Sequence, residues 1–231
     1  MHLRYIIFDF DGTICDSYPA IDYSLEQTFL KYKLTLPNVD IRRQIIGSGK
    51  GIGDSIRLLN REATPISWDK IEKMTLTYRE IYANEGYNYA KLFPGALNLF
   101  STLHDHGIII IIASNKGLEA VQSTLDSHGL KQFTNDIIAD GVFTKEKTRM
   151  KPDPMIFEEY IKPKYPAINC DNGMMVGDTD IDIRFAKNCN LISCWAAYGY
   201  GDTEACIKAE PHFRINGLSE LSLLLFPQPT R

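Results

Sequence analysis

The sequence lacks a paired cysteine pattern. Its five cysteines, Cys15, Cys170, Cys189, Cys194 and Cys206, are odd in number, scattered, and contain no C-x-x-C step. That argues against a disulfide framework or a zinc knuckle and for reduced thiols. Long apolar runs are also missing. The stretch Ile108 to Ala113 is among the longest, well short of the roughly 20 residues a membrane helix needs, so no membrane partner is expected. The apolar start is short and interrupted by Asp9, so no signal peptide is expected and the protein reads as cytoplasmic. There is no basic excess: 25 Lys and Arg against 29 Asp and Glu give a net charge of -4. Nucleic acid is therefore not an expected partner. Neither the 11 Pro nor the 16 Gly amount to low-complexity bias, and 44% hydrophobic with 23% charged residues is ordinary for a globular chain. The 231 residues suffice for one large domain or a core with a smaller insert.

What is present is an alternation. Arg4 to Phe10, Gly107 to Ala113, Asn135 to Ala139, Gly173 to Gly177, Leu191 to Ala196 and Pro211 to Ile215 read as strands. Several are apolar throughout, as when helices cover both faces of a parallel sheet. Between them lie helical segments. Leu118, Val121 and Leu125 share a face before Gly129, and Asp153 with Pro154 makes a cap and first turn before "MIFEEYI". The expected class is α/β, a doubly wound, Rossmann-like parallel sheet. From Asp16 to Ala90 no strand is expected, while Ile21, Leu25 and Phe29 share one helical face and Ile71, Met74 and Tyr78 another. This reads as a helical insert at residues 16–90, with 1–15 and 91–231 forming the core. The tail "FPQPTR" is expected to fray.

Ligands of parallel α/β sheets bind beyond the carboxyl ends of the strands. Asp9 and Asp11 stand there after the first strand, Ser114 and Asn115 after the second, and Asp178 and Asp182 after the strand ending near Val176, with Lys151 in a loop between. In extended chain, Asp9 and Asp11 point the same way and Phe10 the other. Two such carboxylates repel unless a cation lies near. With Asp178 as a third oxygen donor, the set suits Mg²⁺ better than zinc. Each motif has a bland counterpart: an Asp-Gly turn, a helix cap, an acidic first turn, a surface lysine. Their joint order at successive strand ends has none.

"DFDGT" (Asp9 to Thr13), "ASN" (Ala113 to Asn115), "KPDP" (Lys151 to Pro154) and "GDTDID" (Gly177 to Asp182) resemble the four motifs of the haloacid dehalogenase superfamily, in order. The insert resembles that family's C1-type helical cap. "LFPGALNLFSTL", "SNK" and "WAAYGYGD" are similar to its phosphoglycolate phosphatase-like branch. The resemblance implies Asp9 as nucleophile forming an aspartyl-phosphate, and Asp11 as general acid and then base. It implies Mg²⁺ held by Asp9, the Asp11 backbone carbonyl and Asp178. Phosphoryl oxygens would meet Ser114, Asn115, Lys151 and backbone N–H groups from Phe10 to Gly12, with Gly12 allowing close approach. Thr13 and Asp182 would support, Asp182 by orienting Lys151 or a metal-bound water.

The expected activity is Mg²⁺-dependent hydrolysis of a small phosphorylated metabolite, phosphoglycolate-like, by a monomer or homodimer. A phosphosugar mutase of the phosphoglucomutase type shares every core motif, and a non-catalytic phosphate sensor is a further alternative, although both aspartates are present. In the family, cap residues select the substrate. In "GSGKGIGDS" (Gly47 to Ser55), Gly49 and Lys50 are the candidates, with Lys50 either meeting an anionic leaving group or simply solvated. The stretch is not a P-loop, because Gly51 stands where Ser or Thr is required and no strand precedes it.

Overall fold

Every side chain of the first strand, β1 (Tyr5–Phe8), is buried. The computed structural model describes residues 3–60, 66–141 and 149–227. Of the tail expected to fray, residues 228–231 lie outside that set. After β1 come β2 (Cys15–Asp16), α1 (Tyr18–Lys31), α2 (Val39–Ile46), α3 (Ile52–Leu59), α4 (Trp68–Asn84) and β3 (Lys91–Leu92). The chain continues through α5 (Ala96–Asp105), β4 (Ile109–Gly117), α6 (Leu118–Ser127) and β5 (Asp136–Asp140). A π-helical segment, Ile156–Ile161, leads into α7 (Lys162–Lys164). Then follow β6 (Gly173–Gly177), α8 (Asp180–Asn188), β7 (Ile192–Ala196), α9 (Thr203–Lys208), β8 (Phe213–Ile215) and α10 (Leu218–Leu225).

Six strands form one parallel sheet in the order β5-β4-β1-β6-β7-β8. Alternate residues supply two cores. Ile6, Phe8, Ile110, Ile112, Met174 and Val176 enter one, and Tyr5, Ile7, Ile111, Ala113 and Met175 the other. That is why these strands are apolar on both faces instead of alternating. Gly173 pairs with Tyr5, and a Cβ there would lie 2.0 Å from the Tyr5 ring, so only glycine lets that ring cover the sheet. All six strands read from the sequence are present: β1, β7 and β8 are shorter than expected, β4 runs on to Gly117, β5 is displaced by one residue and β6 has the expected bounds. β1 stops at Phe8, two residues before the expected end.

Strand order reverses at β1, with β4 on one side and β6 on the other. Chains leaving those strands diverge to opposite faces, and the gap between them is where α/β sheets take ligands.

Helices α1 to α4 lie between β2 and β3, whose antiparallel pair, Cys15 with Leu92 and Asp16 with Lys91, brings both crossings of the chain side by side. Ile21, Leu25 and Phe29 on α1 and Ile71, Met74 and Tyr78 on α4 are buried, as their spacing predicts. Ser67 caps α4 by accepting from the Lys70 N–H. The Asp153 carboxylate accepts from the Met155 N–H, but the helix it opens is π-helical where an α-helix is expected. Among the described residues no helix is long and apolar enough to cross a membrane.

Candidate active site

Asp9 follows directly on β1 and donates its own N–H to the Val176 carbonyl, so the first and fourth motifs are joined by backbone. Its carboxylate Oδ1 accepts from Lys151 Nζ at 2.6 Å, and the same ammonium donates to Asp182 Oδ1 at 2.6 Å. Lys151 and Asp182 side chains are each 2% exposed. Asp182 sits in the first turn of α8, where its Oδ2 accepts from the N–H and hydroxyl of the N-cap Thr179. That reciprocal cap fixes the carboxylate, and the carboxylate then fixes the lysine.

Asp178 lies beside them. Its carboxylate accepts from the Thr13 hydroxyl at 3.3 Å and from the Tyr200 N–H at 2.7 Å. Asp9, Asp178 and Asp182 present carboxylate oxygens within 4.8 Å of one another. Burial pushes the Asp9 carboxyl up to about 7, the Lys151 ammonium pulling against it and Asp182 and Asp11 adding to it. Asp178 is also raised, by burial first and then by Asp9 and Asp182. Desolvated carboxylates this close favour a divalent cation over protons only when one is bound. Asp182 already accepts three hydrogen bonds, one from Lys151 and two from Thr179, against two at Asp178 and one at Asp9, so Asp9 and Asp178 keep more lone pairs for a cation. Oxygen donors alone suit a hard cation.

Gly12 carries a steric requirement of its own in this loop. Its N–H donates to the Cys15 carbonyl at 2.9 Å, so it is already engaged within the loop. At φ +78°, a Cβ on residue 12 would lie 2.2 Å from Asp178 Oδ2. The missing side chain makes room for that carboxylate. The Phe10 side chain is fully buried, which leaves only its backbone for any ligand.

Asp11 also departs from the extended-chain reading, because regular strand geometry ends at Phe8. Its carboxylate meets Ser17 Oγ at 2.5 Å and Lys116 Nζ at 3.0 Å, away from the group of three carboxylates. The repulsion expected between Asp9 and Asp11 is thus relieved by two different lysines. Lys116 was not singled out in the sequence beyond its place in "SNK". Its position beside Ser114 and Asn115 was the available signal, but its pairing with a residue 105 positions away was not.

Ser114 is buried within β4, which runs on past the expected end at Ala113 with a register irregularity between Ser114 and Gly117, and its Oγ accepts from the Lys116 N–H at 3.3 Å. Asn115 donates to the carbonyls of Gly49 at 2.9 Å and Lys151 at 3.3 Å, while its buried Oδ1 has no partner among the described residues. The Gly49 carbonyl therefore ties the loop between α2 and α3 to the sheet rim. Lys50 next to it is exposed, lines the cavity, and has no ion-pair partner among the described residues. Asp16 pairs with Lys91 where the chain crosses, its carboxylate accepts from the Tyr200 hydroxyl at 2.6 Å, and that hydroxyl accepts from the Tyr18 N–H. Tyr200, in "WAAYGYGD", was missed by sequence reasoning, and its links to both Asp178 and Asp16 are tertiary.

These groups floor a cavity of about 800 Å³ roofed by the helices between β2 and β3, with Ile21, Ile46, Ile52, Tyr78 and Tyr82 in its walls. At its edge Arg79 of α4 pairs with Asp140 of β5 at 2.6 Å.

Residues 6–196 match the family model of haloacid dehalogenase-like hydrolases. A phosphoglycolate phosphatase of Vibrio cholerae is 28% identical over 91% of this chain and 92% of its own length. The pyrophosphatase PpaX of Oceanobacillus iheyensis is 25% identical over 96% of each. The crystal structure of a predicted phosphoglycolate phosphatase from Haemophilus somnus superposes with a TM-score of 0.84 at 20% identity, covering 97% of this chain and 99% of that one. With the match spanning all four motifs and most of the chain, the protein belongs to the haloacid dehalogenase-like hydrolase family.

Proposed function

We propose that the protein is a phosphatase of small phosphorylated metabolites, working through an aspartyl-phosphate on Asp9. The observation that carries this reading is the buried Asp9–Lys151–Asp182 chain with Asp178 beside it and Asp11 held apart. One carboxylate is placed among cations and acids to act on phosphorus, and the other is free of that cluster to move protons.

In this reading Asp9 attacks phosphorus and the ester P–O bond breaks as Asp11 gives its proton to the leaving oxygen. Water then attacks the aspartyl-phosphate, Asp11 takes the proton, and the P–O bond to Asp9 breaks, releasing inorganic phosphate. Lys151 has three N–H donors, of which Asp9 and Asp182 take two, so one remains for a phosphoryl oxygen beside the Ser114 hydroxyl and Asn115 amide. Mg²⁺, held by Asp9, Asp178 and the Asp11 backbone carbonyl, would supply charge screening between the nucleophile and the anionic phosphoryl group.

Residues 16–90 act as the cap and 1–15 with 91–231 as the core, with the β2–β3 pair as the crossing. Gly49 and Lys50 select the leaving group, and a phosphoglycolate-like ester, whose carboxylate would meet Lys50, is the substrate proposed first. The test is inorganic phosphate release, with and without Mg²⁺, across a panel containing phosphoglycolate, pyrophosphate and sugar phosphates. Mg²⁺-dependent release from at least one monoester is expected. Phosphate moving within one sugar with little release would favour a mutase, and no turnover of any ester would refute the reading.

The buried acids also make metal and pH interdependent. A carboxyl raised in the folded protein binds a proton there that the unfolded chain has released. Stability of the metal-free protein therefore falls as pH rises from the ordinary carboxyl value, 3.8, to about 7 for Asp9. Mg²⁺ binds the ionised form, so its stabilising effect grows over the same window. Thermal melts are expected to show a larger Mg²⁺-induced rise in Tm at about pH 8 than at about pH 5, and Asp178→Asn should remove most of it. An equal rise at both pH values would count against Asp9 and Asp178 as the cation's ligands.

A further inference from the structure

Asp11 is gripped unevenly. Its Oδ1 receives two donors, the Ser17 hydroxyl at 2.5 Å and Lys116 Nζ at 3.0 Å, whereas Oδ2 has only the same ammonium at a long 3.4 Å. Both donors come from outside the loop that carries Asp11. Ser17 stands at the start of α1, and Lys116 near the end of β4, immediately after the Ser114–Asn115 pair. The Lys116 side chain is 8% exposed, so water competes little for its ammonium, while the Asp11 side chain, at 25%, remains open to the cavity.

The ammonium is seated from the other side by an aromatic ring. Lys116 Nζ lies 4.2 Å from the ring centre of Tyr82 on α4, within the range of a favourable cation–π contact. Tyr78, one turn earlier on the same helix, is buried and packs against Tyr82 with the rings tilted by 36° and their centres 6.0 Å apart. Lys116 thus touches a carboxylate of the strand-end loop and a ring from the helices over the cavity. A partly buried ion pair of this kind is weak evidence for stability, because desolvation offsets much of the attraction. Geometry is the stronger reason for it.

We propose that Lys116 is a positioning residue for Asp11, holding the carboxylate by Oδ1 so that Oδ2 is the oxygen that delivers and receives the proton, with Tyr82 seating the ammonium. The inference rests on the acid–base role given to Asp11 under the proposed function. Without Lys116, Asp11 keeps one hydroxyl on Oδ1 and its carboxylate can turn away from the leaving oxygen. A misplacement of about 1 Å at a reacting group can lower a rate on the order of 10²-fold. The loss falls on the step that needs a proton: cleavage of the ester P–O bond, with the Oδ2 proton passing to the leaving oxygen. An ester whose leaving group departs as a stable anion does not need that proton.

The experiment compares kcat/KM, which reports events up to the first P–O cleavage, for an alkyl phosphate and for 2,4-dinitrophenyl phosphate. K116M is expected to lower it by about 30- to 100-fold for the alkyl ester and by less than about 5-fold for the dinitrophenyl ester. Y82L, which removes the ring and no charge, is expected to show the same selectivity at a smaller size, and it carries the test should thermal melts show K116M unfolded. Equal losses with both esters, or no loss with the alkyl ester, overturn the proposal while leaving the phosphatase reading intact. If wild-type protein cleaves neither ester, the phosphatase reading fails and this inference fails with it.

Discussion

Asp9→Asn is expected to lower kcat/KM for the best ester by at least about 10³-fold, since an amide cannot form the covalent phosphoryl intermediate. Stability should move differently. Burial already works against the charged Asp9 carboxylate, which is why its carboxyl is pushed up to about 7. A neutral amide removes a charge from a group that also holds Asp178 and Asp182, while Lys151 retains Asp182 as its ion-pair partner. The metal-free variant should therefore melt no lower than wild type at about pH 8, and its Mg²⁺-induced stabilisation should shrink. Phosphate release assays with purified variant and melts with and without Mg²⁺ check both halves. Turnover within about 10-fold of wild type would sink Asp9 as the nucleophile.

Lys151→Met is expected to be severe in both respects. Methionine keeps the apolar stem but removes the ammonium that neutralises Asp9 and Asp182 at 2.6 Å each, in a place where the side chains of Lys151 and Asp182 are 2% exposed. Removing one partner of a buried ion pair costs about 3–5 kcal/mol, because the other is left charged and desolvated. For a chain of this size that corresponds to a Tm lower by roughly 6 to 20 °C. The penalty should be largest at about pH 8, where escaping it by protonating the carboxylates costs the most. Two further measurements separate this cause from a packing defect. Mg²⁺ should raise the Tm of Lys151→Met more than that of wild type, and adding Asp182→Asn should recover part of the lost stability. A Tm within about 2 °C of wild type would show that the ammonium is not what balances these acids.

The core of the fold was legible because its signals are local. Ile6, Ile7, Ile110 to Ile112 and Met174 to Val176 are apolar without alternation, and only a sheet covered on both faces buries such strands. The insert was legible for the same kind of reason: Ile21, Leu25 and Phe29 recur at helical spacing, and all three are buried. Asp9, Ser114 and Asp178 were placed at strand ends, and Lys151 in a loop between them, by order alone, and the parallel sheet gathers strand ends on one rim.

Partnership was not legible, because it depends on side-chain direction and on contacts between distant segments. Asp9 and Asp11 look equivalent as a pair two residues apart, but the strand ends at Phe8 and the loop sends them to Lys151 and Lys116 respectively. Gly12 reads from the sequence as an approach route for a ligand, and the close packing of Asp178 against it adds a need for glycine that only the tertiary structure displays. Tyr200 joins Asp178, 22 residues before it, to Asp16, 184 residues before it, which no local pattern encodes. The sequence by itself determined the sheet, the insert and the inventory of acids and bases, because periodicity and strand order are properties of the chain. Only the tertiary structure decided which cation meets which carboxylate, because charge pairing in a buried site is set by distances of a few ångströms that burial alone makes decisive.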